Sequence, residues 1–340
     1  MQIGFLHGPE SEITRQMLTQ LRESLLPHEV LSWIDGQSAP SNELVILLAS
    51  GEVTKHYMQN QTKLALIQTV STGYETVDVD AATSLGIWVS YAPSDLTGNA
   101  TSVAEFAVFL LLGASRQMRS VIASGERGAI PAPRVYPALN GKSVCIVGLG
   151  SIGLMVANRL RPFGMLLLAT DEHPELAPND VTAFPADKLH VAVSDADFVV
   201  ICVRASQANE NLISASVIAS MKPGAVLVNI ARGLLVDEVA LLKALESGHI
   251  SAAGLDVVKQ EPLESTNPLF KLPQVLMTPH MAGTTDLMIC GTVELVTKIV
   301  ADFTAGTRPG STLNCLEKPR KPLHKRAASG SLSQSSPFTN

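Results

Sequence analysis

Charge is sparse in this sequence, cysteine is sparser, and neither a basic surplus nor a long apolar run is present. Charged residues make up 16% of the 340 positions and the formal net charge is -6. No overall basic field therefore favours nucleic acid or an anionic membrane surface, and neither is expected as a partner. The longest apolar run, Phe106 to Ala114, is about half of the roughly 20 residues that a bilayer span requires. The opening Met1-Gln2-Ile3-Gly4-Phe5-Leu6 reads as a strand. It lacks a charged region followed by an apolar one, so no secretory signal and a cytoplasmic location are expected. The four cysteines, Cys145, Cys202, Cys290 and Cys315, are scattered, and the first two sit in apolar runs. They read as reduced thiols, not as a disulfide framework. No metal site is read.

What is present is a long chain, 46% hydrophobic, of a size at which single cores stop growing and two domains are the default. Short apolar runs alternate with amphipathic stretches. Val45–Ala49, Leu64–Gln68 and Ile87–Val89 read as strands, and Ile13, Met17, Leu21 and Leu25 recur every four residues along a helix face. A second series starts at Ser143, with strands at Val144–Val147, Leu166–Ala169, Phe198–Val203, Ala225–Ile230 and Val275–Met277. Helices are expected at Ile152–Arg161, Asn211–Met221 and Val236–Glu246. Alternation of this kind predicts an α/β fold of parallel sheets joined by right-handed crossovers. Ser102-Val103-Ala104-Glu105 has capping-box spacing before the apolar run Phe106–Ala114. That run should be buried, and its apolar character on more faces than one domain can cover predicts a homodimer. Another helix is expected at about Thr285–Ala305, a loop over Ser124–Asn140, and a disordered tail from Leu316.

The first motif with chemistry in it is Gly148-Leu149-Gly150-Ser151-Ile152-Gly153, which follows an apolar strand and opens a helix. In such a turn the first glycine permits the bend, the second lets a pyrophosphate reach the backbone, and the third lets helix and strand pack closely. The helix N-terminus adds free N–H groups and a positive dipole end. Asp171 ends the next strand, about twenty residues on, where a carboxylate accepts from the adenosine ribose hydroxyls. No Arg or Lys adjoins it to neutralise a 2′-phosphate. NAD is therefore favoured over NADP.

Three further strands each deliver a charged or titratable residue just past their ends: Arg232, Glu261 and His280. In open α/β sheets ligands bind at that edge.

These segments, Gly148–Gly153, Lys222-Pro223-Gly224-Ala225, Ala231–Glu238, Gly254-Leu255-Asp256-Val257 with Glu261-Pro262, and Pro279–Gly283, stand in one order with Thr72-Gly73-Tyr74-Glu75-Thr76-Val77-Asp78 ahead of them. As a set they resemble the D-isomer-specific 2-hydroxyacid dehydrogenase family, including its glyoxylate/hydroxypyruvate reductase members. The resemblance implies two Rossmann-like doubly wound domains with the active site in the cleft between them. A flavodoxin-like substrate domain, 1–98 with 286–315, would carry an inserted NAD-binding domain, 99–285, and 316–340 would form the tail. It implies an oxidoreductase that moves a hydride between NAD(H) and a small 2-oxo or D-2-hydroxy acid. His280 would be the acid–base; Glu261 would accept its other ring N–H, fix the tautomer and favour the imidazolium. Arg232 would anchor the substrate carboxylate with its planar fork, helped by backbone N–H groups at Thr72 and Gly73. Asp256 resembles the acceptor of the nicotinamide carboxamide. Ser151, Ile152, Val203, Ala231, His280 and Gly283 complete the implied cofactor contacts.

Departures are visible. Val203-Arg204-Ala205-Ser206 stands where the family often has Pro-Leu-Thr, which leaves Arg204 open to two placements, beside the adenine or in solvent. Ser124–Asn140 has no Trp, a residue the family often places there. Thr284-Thr285 is similar to formate dehydrogenases, but Glu261 stands where those enzymes have Gln. NAD(H)-binding transcriptional corepressors share the fold and the three charged residues, so a regulator remains the alternative to an enzyme.

Overall fold

The computed structural model describes residues 1–129 and 135–320. It forms two compact units: Met1–Pro93 together with the described residues from Thr292 onward, and Ser94–Gly291.

The first unit holds a five-stranded sheet of β1 (Gln2–His7), β2 (Glu29–Ile34), β3 (Leu44–Ala49), β4 (Leu66–Thr69) and β5 (Trp88–Ser90). The order is β2-β1-β3-β4-β5, with every neighbouring pair parallel, which is the flavodoxin-like winding. The helix Glu12–Ser24 starts where Ser11 accepts the Thr14 N–H at 3.1 Å and turns Met17 and Leu21 into the core. The outer edge of β5 is covered by the end of the described chain. Thr312 bridges Ser90 in antiparallel sense, Leu313 N–H donates to Val89 O at 2.7 Å, and the Asn314 side chain accepts from Val89 N–H at 3.2 Å. The Trp88 indole N–H donates to Leu316 O at 3.0 Å, and Arg320 N–H to Gly86 O at 2.6 Å. The first residues of the expected tail are thus bonded to the sheet, because backbone groups of an edge strand need partners. Residues 321–340 lie outside the described residues.

The second unit holds seven strands, β6 (Ser143–Val147), β7 (Leu166–Asp171), β8 (Val181–Pro185), β9 (Phe198–Ile201), β10 (Ala225–Asn229), β11 (Ile250–Leu255) and β12 (Val275–Met277). They lie in the order β12-β11-β10-β9-β6-β7-β8, again all parallel. Chain order reverses between β6 and β9, the switch point where such sheets take ligands. Alternate residues feed two cores. Val144, Ile146, Val200, Val226 and Val228 pack with Ala104, Ala107, Leu110 and Leu111 of the helix Asn99–Ser115 and with Val156 and Leu160 of the helix Ser151–Leu160. Val147, Val199, Ile201 and Leu227 face the other way, against Val217, Ile218, Leu241 and Leu245. At about 1.5–3 kcal/mol per buried aliphatic side chain, these two layers hold the strand ends, and hence the site, in place.

Three local expectations are corrected. The helix expected to open at a Ser102–Glu105 capping box begins at Asn99 instead, after Gly98 at φ 71. Ser102 Oγ donates back to Gly98 O at 3.1 Å and meets Thr285 Oγ1 at 2.7 Å, while Glu105 is drawn to Arg159 at 3.1 Å. The helix expected over Asn211–Met221 is only Ala215–Ser220. Asn211 sits at φ 53, and its N–H and that of Ile213 go to Leu234 O and Leu235 O, a tertiary pairing that displaces the helix. The expected loop over Ser124–Asn140 loses its start to the helix Met118–Glu126, anchored by Arg119 donating to Leu272 O and Val275 O; residues 130–134 lie outside the described residues. Among the described residues no single helix is long and apolar enough to cross a membrane; Asn99–Ser115 and Met118–Glu126 reach that length only as a pair bent by 68°.

Candidate active site

The glycine turn follows β6 directly. Gly148 lies at φ 96, and a Cβ there would sit 2.9 Å from the backbone of Val203, the residue beyond β9 across the switch point. A Cβ on Gly153 would come within 1.9 Å of Gly148 O, so only glycine lets this helix pack on this turn. Gly150 is different: a Cβ there would meet nothing within 4 Å. It caps the helix Ser151–Leu160 without a side-chain bond, so the first-turn amides of that helix, at Ser151 and Ile152, have no side-chain cap. Asp171 ends β7 beside this turn, its Oδ2 accepting the Leu149 N–H at 2.7 Å and its Oδ1 the His173 N–H at 2.9 Å. An open glycine, an uncapped helix N-terminus and a carboxylate at the next strand end fit a dinucleotide whose pyrophosphate meets the amides and whose ribose meets the acid. Val203 borders the same turn, and Arg204 is exposed just beyond it.

The other strand ends bring three charged residues together. Beyond β10, Asn229 accepts the Ala231 N–H at 3.0 Å and donates to Arg232 O at 3.0 Å, so the chain turns sharply there. Arg232 is extended at φ -147, ψ 145, and its guanidinium donates to Ala231 O at 2.8 Å. A Cβ on the next residue, Gly233, would overlap the Val258 carbonyl carbon at 1.9 Å. Glycine at this point allows the Arg232 turn to touch the loop after β11, the loop that carries Glu261.

Glu261 Oε1 accepts the Val258 N–H at 3.3 Å and Oε2 meets Nδ1 of His280 at 2.7 Å. Burial favours the neutral acid. The hydrogen bond and charge of His280, the Val258 N–H and the charge of Arg232 together outweigh it, and hold the Glu261 carboxyl below the usual glutamate range. His280 lies past β12 at φ 51, the left-handed region, a conformation that costs a non-glycine residue on the order of 1–3 kcal/mol. Among the described residues its Nε2 has no hydrogen-bond partner.

Asp256 is 1% exposed at the end of β11. Its Oδ1 accepts from Thr278 Oγ1 at 2.7 Å and Met281 N–H at 2.9 Å, and its Oδ2 from Ala282 N–H at 2.8 Å. Its carbonyl accepts the His280 N–H at 2.8 Å. At Gly283 a Cβ would lie 2.2 Å from Asn99 Oδ1, which gives that glycine a packing reason of its own. Thr72 and Gly73 lie in the first unit, in the loop after β4, where Ser71 Oγ donates to Gly73 O at 2.9 Å. Asn229 and Thr278 add bonds that no motif announces; the signal for them in the sequence is a polar residue at the end of an apolar strand. Among the described residues no cluster of three or more His, Cys, Asp or Glu could hold a metal ion.

Two family models match this chain. The D-isomer specific 2-hydroxyacid dehydrogenase NAD binding domain covers residues 108–282, and the catalytic domain of the same family covers residues 36–173. The chain belongs to the D-isomer specific 2-hydroxyacid dehydrogenase family, and its second unit contains the matched NAD-binding domain. Among its relatives, a glyoxylate reductase from Thermococcus gammatolerans is 34% identical over 327 residues, covering 90% of this chain and 96% of that one. A D-3-phosphoglycerate dehydrogenase from Mycobacterium leprae is 36% identical over 267 residues, covering 74% of this chain; the match spans about half, 49%, of that longer protein. The solved NADPH-dependent glyoxylate/hydroxypyruvate reductase from Sinorhizobium meliloti, in complex with NADP and malonate, superposes with a TM-score of 0.78 at 26% identity, covering 95% of this chain and 99% of that one.

Proposed function

We propose that this protein reduces a small 2-oxo acid to the D-2-hydroxy acid, with NADH preferred to NADPH. The observation that carries the reading is the 2.7 Å bond between Glu261 and Nδ1 of His280, in a turn that leaves Nε2 for a substrate. When bound at the glycine turn, NADH supplies the hydride. Glu261 selects the ring form with a proton on Nδ1 and stabilises the imidazolium; Nε2–H of that imidazolium then donates a proton to the developing alkoxide. Arg232 holds the substrate carboxylate and polarises the carbonyl through parallel N–H donors. Thr72 and Gly73 are proposed as further donors to that carboxylate. Asp171 favours NADH because its charge would face the additional phosphate.

A panel of glyoxylate, hydroxypyruvate and bulkier 2-oxo acids, each with NADH and NADPH and followed by absorbance loss, tests the reading. Turnover with NADH ahead of NADPH is expected. Tight NADH binding without turnover of any acid would instead favour a nucleotide-sensing regulator. Higher kcat/KM with NADPH would refute the role of Asp171. The reading includes a cytoplasmic homodimer. Phe109 stands 51% exposed on the helix Asn99–Ser115, paired with Phe106 at 5.2 Å between ring centres, and Ile122 is also exposed. Light scattering after size exclusion should give twice the chain mass; a monomer at micromolar concentration would refute the dimer.

A further inference from the structure

We infer that Asn229 is a positioning residue for Arg232: its buried side-chain amide closes a ring of three hydrogen bonds that fixes the turn carrying the guanidinium. This rests on the proposed role of Arg232 as anchor of the substrate carboxylate.

The ring can be followed bond by bond. Asn229 Nδ2 donates to Arg232 O at 3.0 Å, the Arg232 guanidinium donates to Ala231 O at 2.8 Å, and Ala231 N–H donates to Asn229 Oδ1 at 3.0 Å. Backbone and side chain of Arg232 are thus tied to one residue. Asn229 is itself fixed to the sheet: it lies between Ile201 and Leu255 in the parallel ladder, its O accepts the Asp256 N–H at 3.0 Å, and it is 1% exposed. Arg232 O also accepts the Leu235 N–H at 3.2 Å, which joins the ring to the short helical turn Gly233–Leu235. That turn rests on the Val258 carbonyl, the contact that only glycine at position 233 permits. The ring therefore also sets how Arg232 approaches the loop of Glu261.

The residue type fits the task. β10 is buried along its whole length, and its other four residues, Ala225, Val226, Leu227 and Val228, are apolar. A polar side chain in such a place costs free energy unless it is hydrogen-bonded. This one must accept from an N–H and donate to a carbonyl side by side, and a carboxamide carries one group of each kind. Aspartate has the same shape but no donor, and its second oxygen would face Arg232 O. A serine hydroxyl can accept from the amide two positions on, but it has a single oxygen for two targets. A fork of donors grips a carboxylate only in one orientation of its plane. The bond to Ala231 O selects that orientation while the Ala231 peptide is held, and Asn229 Oδ1 holds it.

The test is a double-mutant cycle on the full chain: wild type, Asn229→Asp, Arg232→Lys and the pair. Each is read by kcat and KM for the oxo acid and by the NADH dissociation constant. Asn229→Asp alone should lower kcat/KM by on the order of 100-fold, the scale of a misplaced group. Most of that loss should be a rise in KM, with NADH affinity changed far less. In the Arg232→Lys background the same substitution should cost little, because a residue that acts through Arg232 then has no fork left to position. Losses that multiply in the pair, or NADH affinity weakened in step with kcat/KM, would overturn the inference and leave Asn229 a packing residue. If Asn229→Asp does not fold, Asn229→Ser takes its place in the cycle. A further readout needs no turnover: in ¹⁵N spectra the Arg232 guanidinium should rotate slowly in wild type and faster in the Asn229 variant, and equal rates would also overturn the inference. If wild type turns over no oxo acid, the proposed function fails, while the rotation rates still decide on Asn229.

Discussion

Two turns of the second sheet solve the same problem by opposite means. Gly148 at φ 96 and His280 at φ 51 both place left-handed backbone at a strand end. At the first, glycine removes the steric cost, and the turn stays open to a ligand. At the second, the proposed acid–base role demands a side chain in left-handed backbone, and the buried Asp256 accepts the two amides that follow it. Each turn leans on an aspartate, but Asp171 is half-buried and takes one amide of its turn, Leu149 N–H, whereas Asp256 is buried and takes two.

The comparison breaks most severely at His280. Replacing it with Ala removes the proposed proton donor and should lower kcat by about 10²–10⁴-fold, while NADH affinity, proposed to be set at the other turn, should be nearly retained. Equal losses in kcat and NADH affinity would show that the two turns are not separable. Gly153→Ala should do the converse. Its Cβ would strike Gly148 O, and overpacking of that kind costs about 1–3 kcal/mol, which a fall in Tm and in NADH affinity would register. Gly150→Ala meets open space, so it should keep Tm and lose only cofactor affinity; a Tm loss as large as that of Gly153→Ala would contradict the distinction.

Smaller effects sharpen the contrast. Asp171→Asn removes the charge proposed to face a 2′-phosphate, and the NADH-to-NADPH ratio of kcat/KM should drop by about tenfold, or 1.4 kcal/mol; an unchanged ratio would assign discrimination elsewhere. Glu261→Gln removes the anion beside His280. Reduction needs the imidazolium, and losing a neighbouring anion disfavours it, so the pH limb of kcat/KM should move to lower pH. In stability the sign is the other one usual for acids. The Glu261 carboxyl titrates lower in the fold than in the unfolded chain, so its contribution is present at neutral pH and is lost as the pH falls through that lowered value. The Tm gap between wild type and Glu261→Gln should therefore close on acidification. A gap that widened, or a limb that did not move, would uncouple Glu261 from His280.

Much of this was legible because the second sheet is buried on both faces. Its strands read as continuous apolar runs, and past three of them a charged or titratable residue stands at the edge where such sheets take ligands. Arg232, Glu261 and His280 stand out there as candidates, the resemblance to the family supplies their proposed roles, and the glycines of the first turn are legible from their own spacing. Less legible were features decided by contacts distant in sequence. Nothing near Asn211 announces that its N–H will go to Leu234, and nothing in Thr278 to Ala282 announces a left-handed histidine. β2, Glu29–Ile34, mixes buried and exposed positions without strict alternation. The bonds that the Asp256 carboxylate accepts come from three donors that are 22, 25 and 26 residues away.

The covering of β5 bears on how this chain is made. Its edge carries unpaired backbone until Thr312, Leu313 and Asn314 arrive. The ribosome delivers those residues some 220 positions after Ser90, once all of the second unit has emerged. For that whole interval the nascent first sheet has a sticky margin, open to pairing with a strand from another chain. A rearranged gene that joined residues 311–320 ahead of Met1 would supply the selvedge first and shield the sheet throughout synthesis.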